Sequence, residues 1–396
     1  HNEPPTLDPG TVQDVDAAGL LQDVYEGLTS YDANNEVVPR LAEKIVPNGA
    51  TIVFTLRDAT FHNGRKVTSE DVKWSWERNL SKKLASPTAM AYLGDIVGAK
   101  ELNEGKATEL KGVACPDPKT LVVTLDKPRA YFLGKLTYPA AAVLAKEAVG
   151  EGGILSEKQS VGTGPYRLTK YVKNQEVDLD RHDGYYDGKP PIARIRRPII
   201  KDAATRLSKY RSGGLDFLVL ERVDVKGVEA DAALKPEMRA LPRPAVYFVA
   251  PNPAAYAPFR DVRVRRAFAM AIDRKRIAED VIGLPVASGL LPPGLPGYRK
   301  DVAGIPFDVA AARKMLADAG FPGGKGLPPL SVAYRAGRPD SERVAAAAVT
   351  DLKTNLGVPV QGTGMEFGAL LEARRKGGLQ MASLSWYGDY LDAQNF

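Results

Sequence analysis

The sequence contains few of the residues from which active sites and metal centres are most often built. Of its 396 residues, three are histidine and one is cysteine. The single cysteine, Cys115, excludes a disulfide bond within the chain. His1, His62 and His182 are scattered, and none has another histidine or cysteine at the spacing of zinc ligands. We therefore expect neither a metal site nor a cofactor.

Long apolar runs and concentrated positive charge are also absent. No run approaches the about 18 consecutive apolar residues of a membrane-spanning helix. The formal net charge is +6, but basic and acidic residues are interspersed, whereas nucleic-acid-binding proteins usually concentrate their basic residues. We therefore expect no nucleic-acid partner.

The sequence shows no motif of a catalytic nucleophile. The Gly-x-Ser-x-Gly motif is missing, and Cys115 has no obvious base partner. Gly-Thr-Gly at 162–164 lacks the lysine and the following helix of a phosphate-binding loop, so it predicts a turn. We expect no catalytic residue; a hydrolase acting on peptides is the alternative from a different class.

Residues 52–78 are the most informative part of what is present, and they predict a strand, a turn and a helix. The segment begins with Ile-Val-Phe-Thr-Leu, and Asn-Gly at 63–64 favours a tight turn. Thr68 stands at a helix N-cap position, with Asp71 three residues later as an acidic variant of the capping box. One face of the predicted helix carries Val72, Trp76 and Leu80.

From about residue 245 onwards, helical and strand patterns alternate. Two helices are predicted to follow the N-cap residues Asp261 and Asp308. Alternation at this spacing favours a parallel sheet covered by helices. The remaining predicted elements are helices at 341–356 and 366–376 and strands at 330–335, 358–361 and 379–386.

Trp-Tyr-Gly-Asp at 386–389 follows the last of these predicted strands. In open α/β sheets, ligands bind outside the carboxyl ends of the strands. A carboxylate at that place can receive an ammonium group, and aromatic rings supply apolar walls. From the residues alone, an equal alternative is that Trp386 lies in the core and Asp389 in a turn.

A series of motifs, in chain order, resembles the oligopeptide- and dipeptide-binding proteins of ABC importers, which belong to cluster C of solute-binding protein family 5. The resemblance extends over nearly the whole chain. The motifs are Thr-Leu-Asp-Pro at 6–9, Asp-Val-Tyr-Glu-Gly-Leu at 23–28, the segment at 52–78, Gly-Thr-Gly-Pro-Tyr at 162–166, Pro-Phe-Arg-Asp-Val-Arg at 258–263 and Trp-Tyr-Gly-Asp-Tyr at 386–390.

This resemblance implies an α/β fold of two lobes, the type II periplasmic-binding-protein (Venus flytrap) class, with an additional β-rich subdomain. The ligand would lie extended in a cleft between the lobes. The implied limits are 1–30 with 161–246 for the base of the first lobe, 31–160 for its inserted subdomain and 247–396 for the second lobe. The closing segment of the first lobe is expected to be missing, because residues 386–396 resemble the middle of a domain.

The function implied is that of a monomeric receptor that captures oligopeptides and delivers them to the membrane permease of an ABC importer. The expected location is periplasmic or extracellular and membrane-associated, in a bacterium or an archaeon. Receptors for a nickel chelate, an opine or an oligosaccharide are the alternatives within the same family.

The resemblance also assigns ligand-binding residues. Asp389 corresponds to the aspartate that receives the α-ammonium of the peptide. Trp386 and Tyr387 line side-chain pockets, Val15 meets the peptide backbone, and Tyr92 falls near a contact tyrosine. The sequence departs from the family pattern at two positions: Ser383 stands where some relatives have an arginine for the peptide carboxylate, and Ala250 stands where they have an acidic residue.

Overall fold

The computed structural model describes residues 3–241 and 243–396. The chain forms two compact units. Unit 1 comprises the described residues up to Leu220 together with Asp389–Gln394, and unit 2 comprises those of Glu221–Gly388 together with Asn395–Phe396. Unit 2 thus begins before residue 247, where the resemblance placed the start of the second lobe; the lobe limits given there remain a prediction.

Unit 1 is a mixed α/β unit in which short helices surround three small sheets. Its α-helices are α1 (Val15–Val24), α2 (Ser69–Leu80), α3 (Ala89–Leu93), α4 (Ala99–Asn103), α5 (Phe132–Lys135) and α6 (Ala203–Arg211). Its strands are β1 (Thr29–Tyr31), β2 (Val37–Pro39), β3 (Ala42–Asn48), β4 (Thr51–Leu56), β5 (Val113–Asp117), β6 (Thr120–Thr124), β7 (Tyr166–Val172), β8 (Glu176–Arg181) and β9 (Arg194–Pro198).

All sheets of unit 1 are antiparallel among the described residues. The largest has the strand order β3-β4-β6-β5, and the others are β1-β2 and β7-β8-β9. Buried and half-buried residues alternate along β4 and β6, because successive side chains of a strand point to opposite faces. One face of this sheet therefore contributes to the core of unit 1.

Helix α2 confirms the prediction for the segment at 52–78. Its N-cap is Thr68, whose backbone N–H donates a hydrogen bond of 2.9 Å to Oδ2 of Asp71. The apolar face of α2 lies in the core, where the indole N–H of Trp76 donates to the carbonyl oxygen of Ala141 over 2.9 Å. This helix anchors the segment at 139–145 to the centre of unit 1, because the neighbouring Asn79 also donates to a carbonyl there.

Unit 2 is built around one four-stranded sheet with its own core. Its α-helices are α7 (Arg222–Glu229), α8 (Val262–Ala271), α9 (Arg274–Arg276), α10 (Val309–Asp318), α11 (Pro339–Leu356) and α12 (Phe367–Arg375), and a π-helical segment spans Ile277–Ile282. Its strands are β10 (Ala245–Pro251), β11 (Leu330–Arg335), β12 (Val360–Met365) and β13 (Met381–Tyr387).

The sheet of unit 2 is mixed: the parallel pairing predicted for the strands at 330–335, 358–361 and 379–386 is confirmed, and an additional strand that was not predicted, β10, is antiparallel. The order is β10-β13-β11-β12; β11 pairs in parallel with β12 and β13, whereas β10 pairs antiparallel with β13. The sequence analysis did not identify β10 as a strand, and strand periodicity is in any case the same for both directions of pairing. The predicted N-caps Asp261 and Asp308 are confirmed, and each accepts a hydrogen bond from the first turn of its helix.

None of the helices within 3–241 and 243–396 is long and apolar enough to cross a membrane.

Candidate functional site

Unit 1 brings together two of the residues assigned from the sequence, Tyr92 and Asp389. The hydroxyl of Tyr92 donates a hydrogen bond to Oδ2 of Asp389, although the two residues are 297 positions apart. Tyr92 belongs to α3, whereas Asp389 follows β13 at the point where the chain returns to unit 1. Tyr92 is 4% exposed, and Asp389 is half-buried.

Two further tyrosines surround this pair, and neither was assigned to the site from the sequence. The ring of Tyr138 stacks on Tyr92 with 3.9 Å between the centroids and 2° between the planes. Tyr390 meets Tyr92 edge to face at 6.3 Å. Tyr390 belongs to the motif Trp-Tyr-Gly-Asp-Tyr at 386–390, so the sequence offered a signal for it, whereas Tyr138 lies outside the motifs named above.

Both stacked tyrosines stay neutral over the physiological pH range. Burial, and after it the negative charge of Asp389, raise the pKa of Tyr92 far above its ordinary value. The same two causes, followed by the charge of Asp14, raise the pKa of Tyr138. Two carboxylates therefore act on one aromatic stack. A carboxylate beside an apolar aromatic surface is an environment that favours a cation.

Val15 lies at the first position of α1 and is 43% exposed. The segment before it is fixed to the neighbourhood of Tyr92. The carbonyl oxygen of Val12 accepts hydrogen bonds from the hydroxyls of Thr88, at 3.3 Å, and Tyr138, at 3.5 Å. The side chain of Val15 is thus presented to solvent from a segment that packs on the aromatic stack. Its predicted contact with a ligand backbone remains a prediction.

Trp386 and Tyr387 lie at the end of β13 in unit 2 and are both half-buried. The indole N–H of Trp386 donates to Oδ1 of Asn395 over 3.2 Å. The hydroxyls of Tyr387 and Tyr247 are 2.7 Å apart, and the guanidinium of Arg243 lies 5.5 Å from the centre of the Tyr387 ring. In the register of β10 and β13, Tyr387 faces Ala245 and Tyr247 faces Ser385, so the tyrosines are diagonal neighbours on one face.

Ser383 and Ala250, the two departures from the family pattern, lie in the same pair of strands. Ser383 is 3% exposed, and its hydroxyl approaches the carbonyl oxygen of Ser341 at 3.4 Å. A buried serine that is satisfied by a backbone carbonyl provides no positive charge for a carboxylate group of a ligand.

Several of the motifs that carry the resemblance hold the fold of unit 1 together. Asp8 is 4% exposed; it pairs with Arg78 and accepts hydrogen bonds from the backbone N–H groups of Gly10 and Ile154. Glu26 is also buried and accepts from Arg40 Nε at 2.7 Å. Both carboxylates are enclosed by donors of unit 1, which indicates a structural role.

The Gly-Thr-Gly loop packs against the carboxyl-terminal end of α1. A Cβ atom on Gly162 would lie 2.0 Å from the carbonyl oxygen of Val24, so no larger residue fits there without movement. His62 binds this loop through both ring nitrogens, with Nε2 at 2.9 Å from the carbonyl oxygen of Gly164 and Nδ1 at 3.3 Å from the backbone nitrogen of Gly162. Burial lowers the pKa of His62 to about 4.

The described residues contain no group of three or more His, Cys, Asp or Glu side chains arranged to hold a metal ion. Cys115 is half-buried in β5, and burial raises the pKa of its thiol to about 11. A thiol with a raised pKa is a poor nucleophile at neutral pH.

Comparison with known proteins extends over nearly the whole chain. Residues 36–396 match the family described as "Bacterial extracellular solute-binding proteins, family 5 Middle". The probable deoxycholate-binding periplasmic protein YgiS of Escherichia coli is 31% identical over 100% of this chain and 76% of its own length. The periplasmic oligopeptide-binding protein OppA of Escherichia coli is 31% identical over 100% of this chain and 75% of its own length.

The solved structures lead to the same conclusion. The murein tripeptide binding protein MppA of Escherichia coli superposes with a TM-score of 0.89 at 28% identity, covering 100% of this chain and 79% of its own. The predicted two-lobed periplasmic-binding-protein class is therefore confirmed. Proteins of this family bind solutes outside the cytoplasm and are not enzymes, so the hydrolase alternative is dropped. With the family match over residues 36–396, the chain belongs to the bacterial extracellular solute-binding proteins of family 5.

Proposed function

We propose that this solute-binding protein captures oligopeptides and delivers them to the membrane-bound permease of an ABC importer. Two relatives, named as oligopeptide-binding and murein tripeptide binding proteins, support the peptide as ligand. In this proposal Asp389 receives the α-ammonium of the peptide, Trp386 and Tyr387 contact side chains, and Val15 and Tyr92 complete the site. Delivery takes place at the outer face of the cytoplasmic membrane.

The observation that carries the proposal is the hydrogen bond from Tyr92 to Asp389. It orients a half-buried carboxylate against a stack of aromatic rings. An ionised carboxylate has about four lone-pair positions, so it can accept further hydrogen bonds from an ammonium group while Tyr92 stays in place. Charge-assisted hydrogen bonds of this kind are the strong ones, and a partly desolvated site strengthens them further.

The Asp389→Asn variant tests this assignment. The amide keeps the shape of the side chain but removes the charge, so affinity for a peptide with a free amino terminus should fall about ten- to a hundredfold. We expect the thermal unfolding of the ligand-free protein to change little. Calorimetric titration with Ala-Ala-Ala and with its N-acetylated form, for both the parent and the variant, measures the effect.

The acetylated peptide is the control, because it has no ammonium group. It should bind the parent weakly, and the substitution should cost it little further affinity. Equal losses for both peptides would contradict the role of Asp389, since they would indicate an effect on the fold. Unchanged binding of Ala-Ala-Ala to the variant would refute the assignment directly.

Deoxycholate is the competing ligand that the comparisons suggest, since one relative is named as a probable deoxycholate-binding protein. This steroid carries a carboxylate and no ammonium group. If deoxycholate binds the parent tightly, binds Asp389→Asn equally well and is not displaced by peptides, the peptide proposal is wrong for this chain.

A further inference from the structure

Strand β12 is an edge of the sheet of unit 2, and its outer side is open. Among residues 3–241 and 243–396 it pairs with β11 alone, in an unbroken parallel register from Val360 to Met365. Its sequence, Val-Gln-Gly-Thr-Gly-Met, contains no charged residue and no proline, and residues 361–364 are exposed. Folded proteins usually protect such an edge with lysine, proline or a β-bulge. Because its six residues include none of these, β12 can accept a further strand.

The backbone groups of β12 that point away from the sheet belong to two glycines. The carbonyl oxygens of Pro359 and Met365 each accept a hydrogen bond of 2.8 Å from the backbone of β11 or of the residue that follows it. Backbone groups alternate in direction along a strand, so the odd-numbered residues bond to β11 whereas Gly362 and Gly364 face outwards. No side chain on either glycine shields these N–H and C=O groups from a partner strand.

An open pocket of about 390 Å³ adjoins this edge. This volume lies in the range of about 300–1,000 Å³ that is usual for ligand pockets. The pocket lies between β11, β12 and the last turn of α12, and small or apolar side chains form most of its lining: Ser331, Ala333, Thr363, Met365, Ala373 and Leu379. Since the exposed Thr363 belongs to β12, a strand added at the edge would reach the pocket with a side chain.

Hydrogen bonds hold the walls of the pocket in place. The hydroxyl oxygens of Ser331 and Thr363 are 2.7 Å apart, which ties β11 to β12. The backbone nitrogen of Ser331 donates to the side-chain oxygen of Gln380 over 2.8 Å. Asn252 in turn donates to the carbonyl oxygen of Leu379 over 2.9 Å. The pocket is therefore formed before a ligand arrives, and this reduces the entropy lost on binding.

A structural need explains the glycines only in part. The ring of Tyr334 lies beside both of them, and a Cβ atom on Gly364 would be 3.2 Å from it. This contact favours glycine on the face of the sheet that carries Tyr334. The pocket lies on the other face, where Ala333 and Thr363 are directly paired, so the tyrosine does not account for it.

The charge at the end of α12 indicates the kind of partner. Arg374, Arg375 and Lys376 follow Ala373 directly, and Glu372 is the one acidic residue between positions 367 and 378. Arg375 and Lys376 both pair with Glu372, at 2.8 and 3.2 Å, and are 71% and 67% exposed. One carboxylate for three cations leaves this end of the helix positive, which favours an acidic partner.

We propose that β12 and the adjoining pocket form a second peptide-binding site, which takes an extended, acidic segment of a partner polypeptide by β-augmentation. The segment pairs antiparallel with β12 through Gly362 and Gly364, and its residue opposite Thr363 places an apolar side chain of about the size of leucine in the pocket. The pocket lies at the beginning of β11 and β13, whereas Trp386 and Tyr387 lie at the end of β13. The inference therefore goes beyond the capture of a transported peptide.

Calorimetric titration with the peptide acetyl-Glu-Thr-Leu-Thr-Glu-amide tests the site. Both of its termini are blocked, so it has no ammonium group for Asp389. Gly362→Pro should lower the affinity at least about tenfold, because the proline ring removes an outward N–H group and obstructs the partner strand. The fold should survive, since proline is tolerated at an edge position whose N–H group faces solvent.

The pocket is tested separately by two substitutions in α12. Ala373→Leu fills the pocket and should also lower the affinity at least about tenfold. Ala369→Leu is the matched control, because Ala369 is an exposed residue of the same helix that does not line the pocket, and the affinity should stay unchanged. Equal affinities of the parent and Ala373→Leu would overturn the proposal, even if the proline variant failed to fold.

Changes in the peptide separate main-chain pairing from charge. N-methylation of both threonine nitrogens removes the donors for Gly362 and Gly364 and should abolish binding. Replacement of both glutamates by lysine should weaken binding about tenfold, because the positive end of α12 then repels the peptide. Equal affinities for all three peptides would contradict both the pairing and the acidic character of the partner.

Hydrogen exchange of the backbone amides locates the bound peptide. Exchange at Gly362 and Gly364 should slow when the blocked peptide is added, and Ala-Ala-Ala should not displace it. Unchanged exchange at both glycines would overturn this proposal and leave the proposed function at Asp389 standing. Self-association of the parent in sedimentation experiments, abolished by Gly362→Pro and without binding of the peptide, would assign the edge to a second copy of this chain and refute the acidic partner.

Discussion

Tyr92 makes two different interactions, one through its ring and one through its hydroxyl. Its ring is stacked flat on Tyr138, and its hydroxyl donates to the half-buried carboxylate of Asp389. The stack fixes the plane of the ring, and the ring fixes the direction of the donated hydrogen bond. The carboxylate is therefore oriented before any ligand arrives, which reduces the entropy lost on binding.

The Tyr92→Phe variant should weaken ligand binding while the ring stack is retained. A hydrogen bond to a charged group contributes about 1.5–3 kcal/mol. Part of that free energy comes from orienting Asp389, so we expect affinity for Ala-Ala-Ala to fall up to about tenfold. Calorimetric titration of the variant, after circular dichroism has confirmed its fold, measures this change.

Tyr138→Phe is the matched control for that experiment. The hydroxyl of Tyr138 makes a long contact of 3.5 Å with the carbonyl oxygen of Val12, whereas it is the hydroxyl of Tyr92 that donates to Asp389. Its loss should leave affinity for the same peptide nearly unchanged. If the two variants lose affinity equally, the effect comes from the stack as a whole, and the orienting role of the Tyr92 hydroxyl is wrong.

At the scale of elements, the Gly-Thr-Gly loop packs closely against the backbone at the end of α1. Gly162 approaches the carbonyl oxygen of Val24 so closely that a Cβ atom would lie 2.0 Å from it. Gly164 is similarly close to the backbone at Asp23, with 2.6 Å for its Cβ atom. These glycines are required by packing, since a backbone oxygen cannot move aside as a side chain can.

Gly162→Ala and Gly19→Ala should therefore change stability in opposite directions. The first introduces a clash with a backbone atom, and overpacking of this kind costs about 1–3 kcal/mol in the free energy of unfolding. Gly19 lies inside α1, is exposed and has no atom within 4 Å of the position that an alanine Cβ would occupy. Alanine should therefore stabilise that helix by about 0.5–1 kcal/mol. Urea unfolding measures the free energy of unfolding of both variants and of the parent. A Gly162→Ala protein as stable as the parent would contradict the packing argument.

At the scale of the whole molecule, buried titratable groups make stability depend on pH. His62 accepts and donates within the Gly-Thr-Gly loop and meets the ring of His182 edge to face at 5.1 Å. Burial lowers the pKa of both histidines, for His62 to about 4 from an ordinary value of 6.5. Glu26 acts in the opposite sense, because burial raises the pKa of its carboxyl group and so favours the native state at low pH.

The free energy of unfolding should decrease as the pH falls through the window from 6.5 to about 4. In this window His62 is protonated in the unfolded state but not in the native state. Acid therefore shifts the equilibrium towards unfolding. A shift of this size corresponds to about 3 kcal/mol once the pH is below both values. Urea unfolding of the parent at pH 7.5, 6 and 4.5 measures the dependence.

The His62→Gln variant isolates the contribution of this histidine from those of Glu26 and other groups. Glutamine cannot titrate in this range, so the difference in stability between parent and variant should shrink as the pH falls. A difference that stays constant from pH 7.5 to 4.5 would show that His62 has its ordinary pKa in the folded protein.

The sequence by itself determined the local features and the family. Helix α2 begins at the predicted N-cap because Thr68 and Asp71 bond to each other three residues apart, and Asp261 and Asp308 begin their helices in the same way. These interactions involve only neighbours along the chain, so residue spacing suffices to predict them. The family motifs likewise indicated the two-lobed class, which the comparisons confirmed.

Tertiary structure decided the pairing of distant segments. Strand β10 was not predicted, and its direction could not have been, since a strand has the same periodicity in either direction. The bond between Tyr92 and Asp389 joins residues 297 apart, and Arg222 reaches an aspartate 118 residues away. Such contacts depend on how the chain folds back on itself, and no spacing along the sequence encodes them. The oriented carboxylate, on which the proposed function rests, therefore exists only in the folded protein.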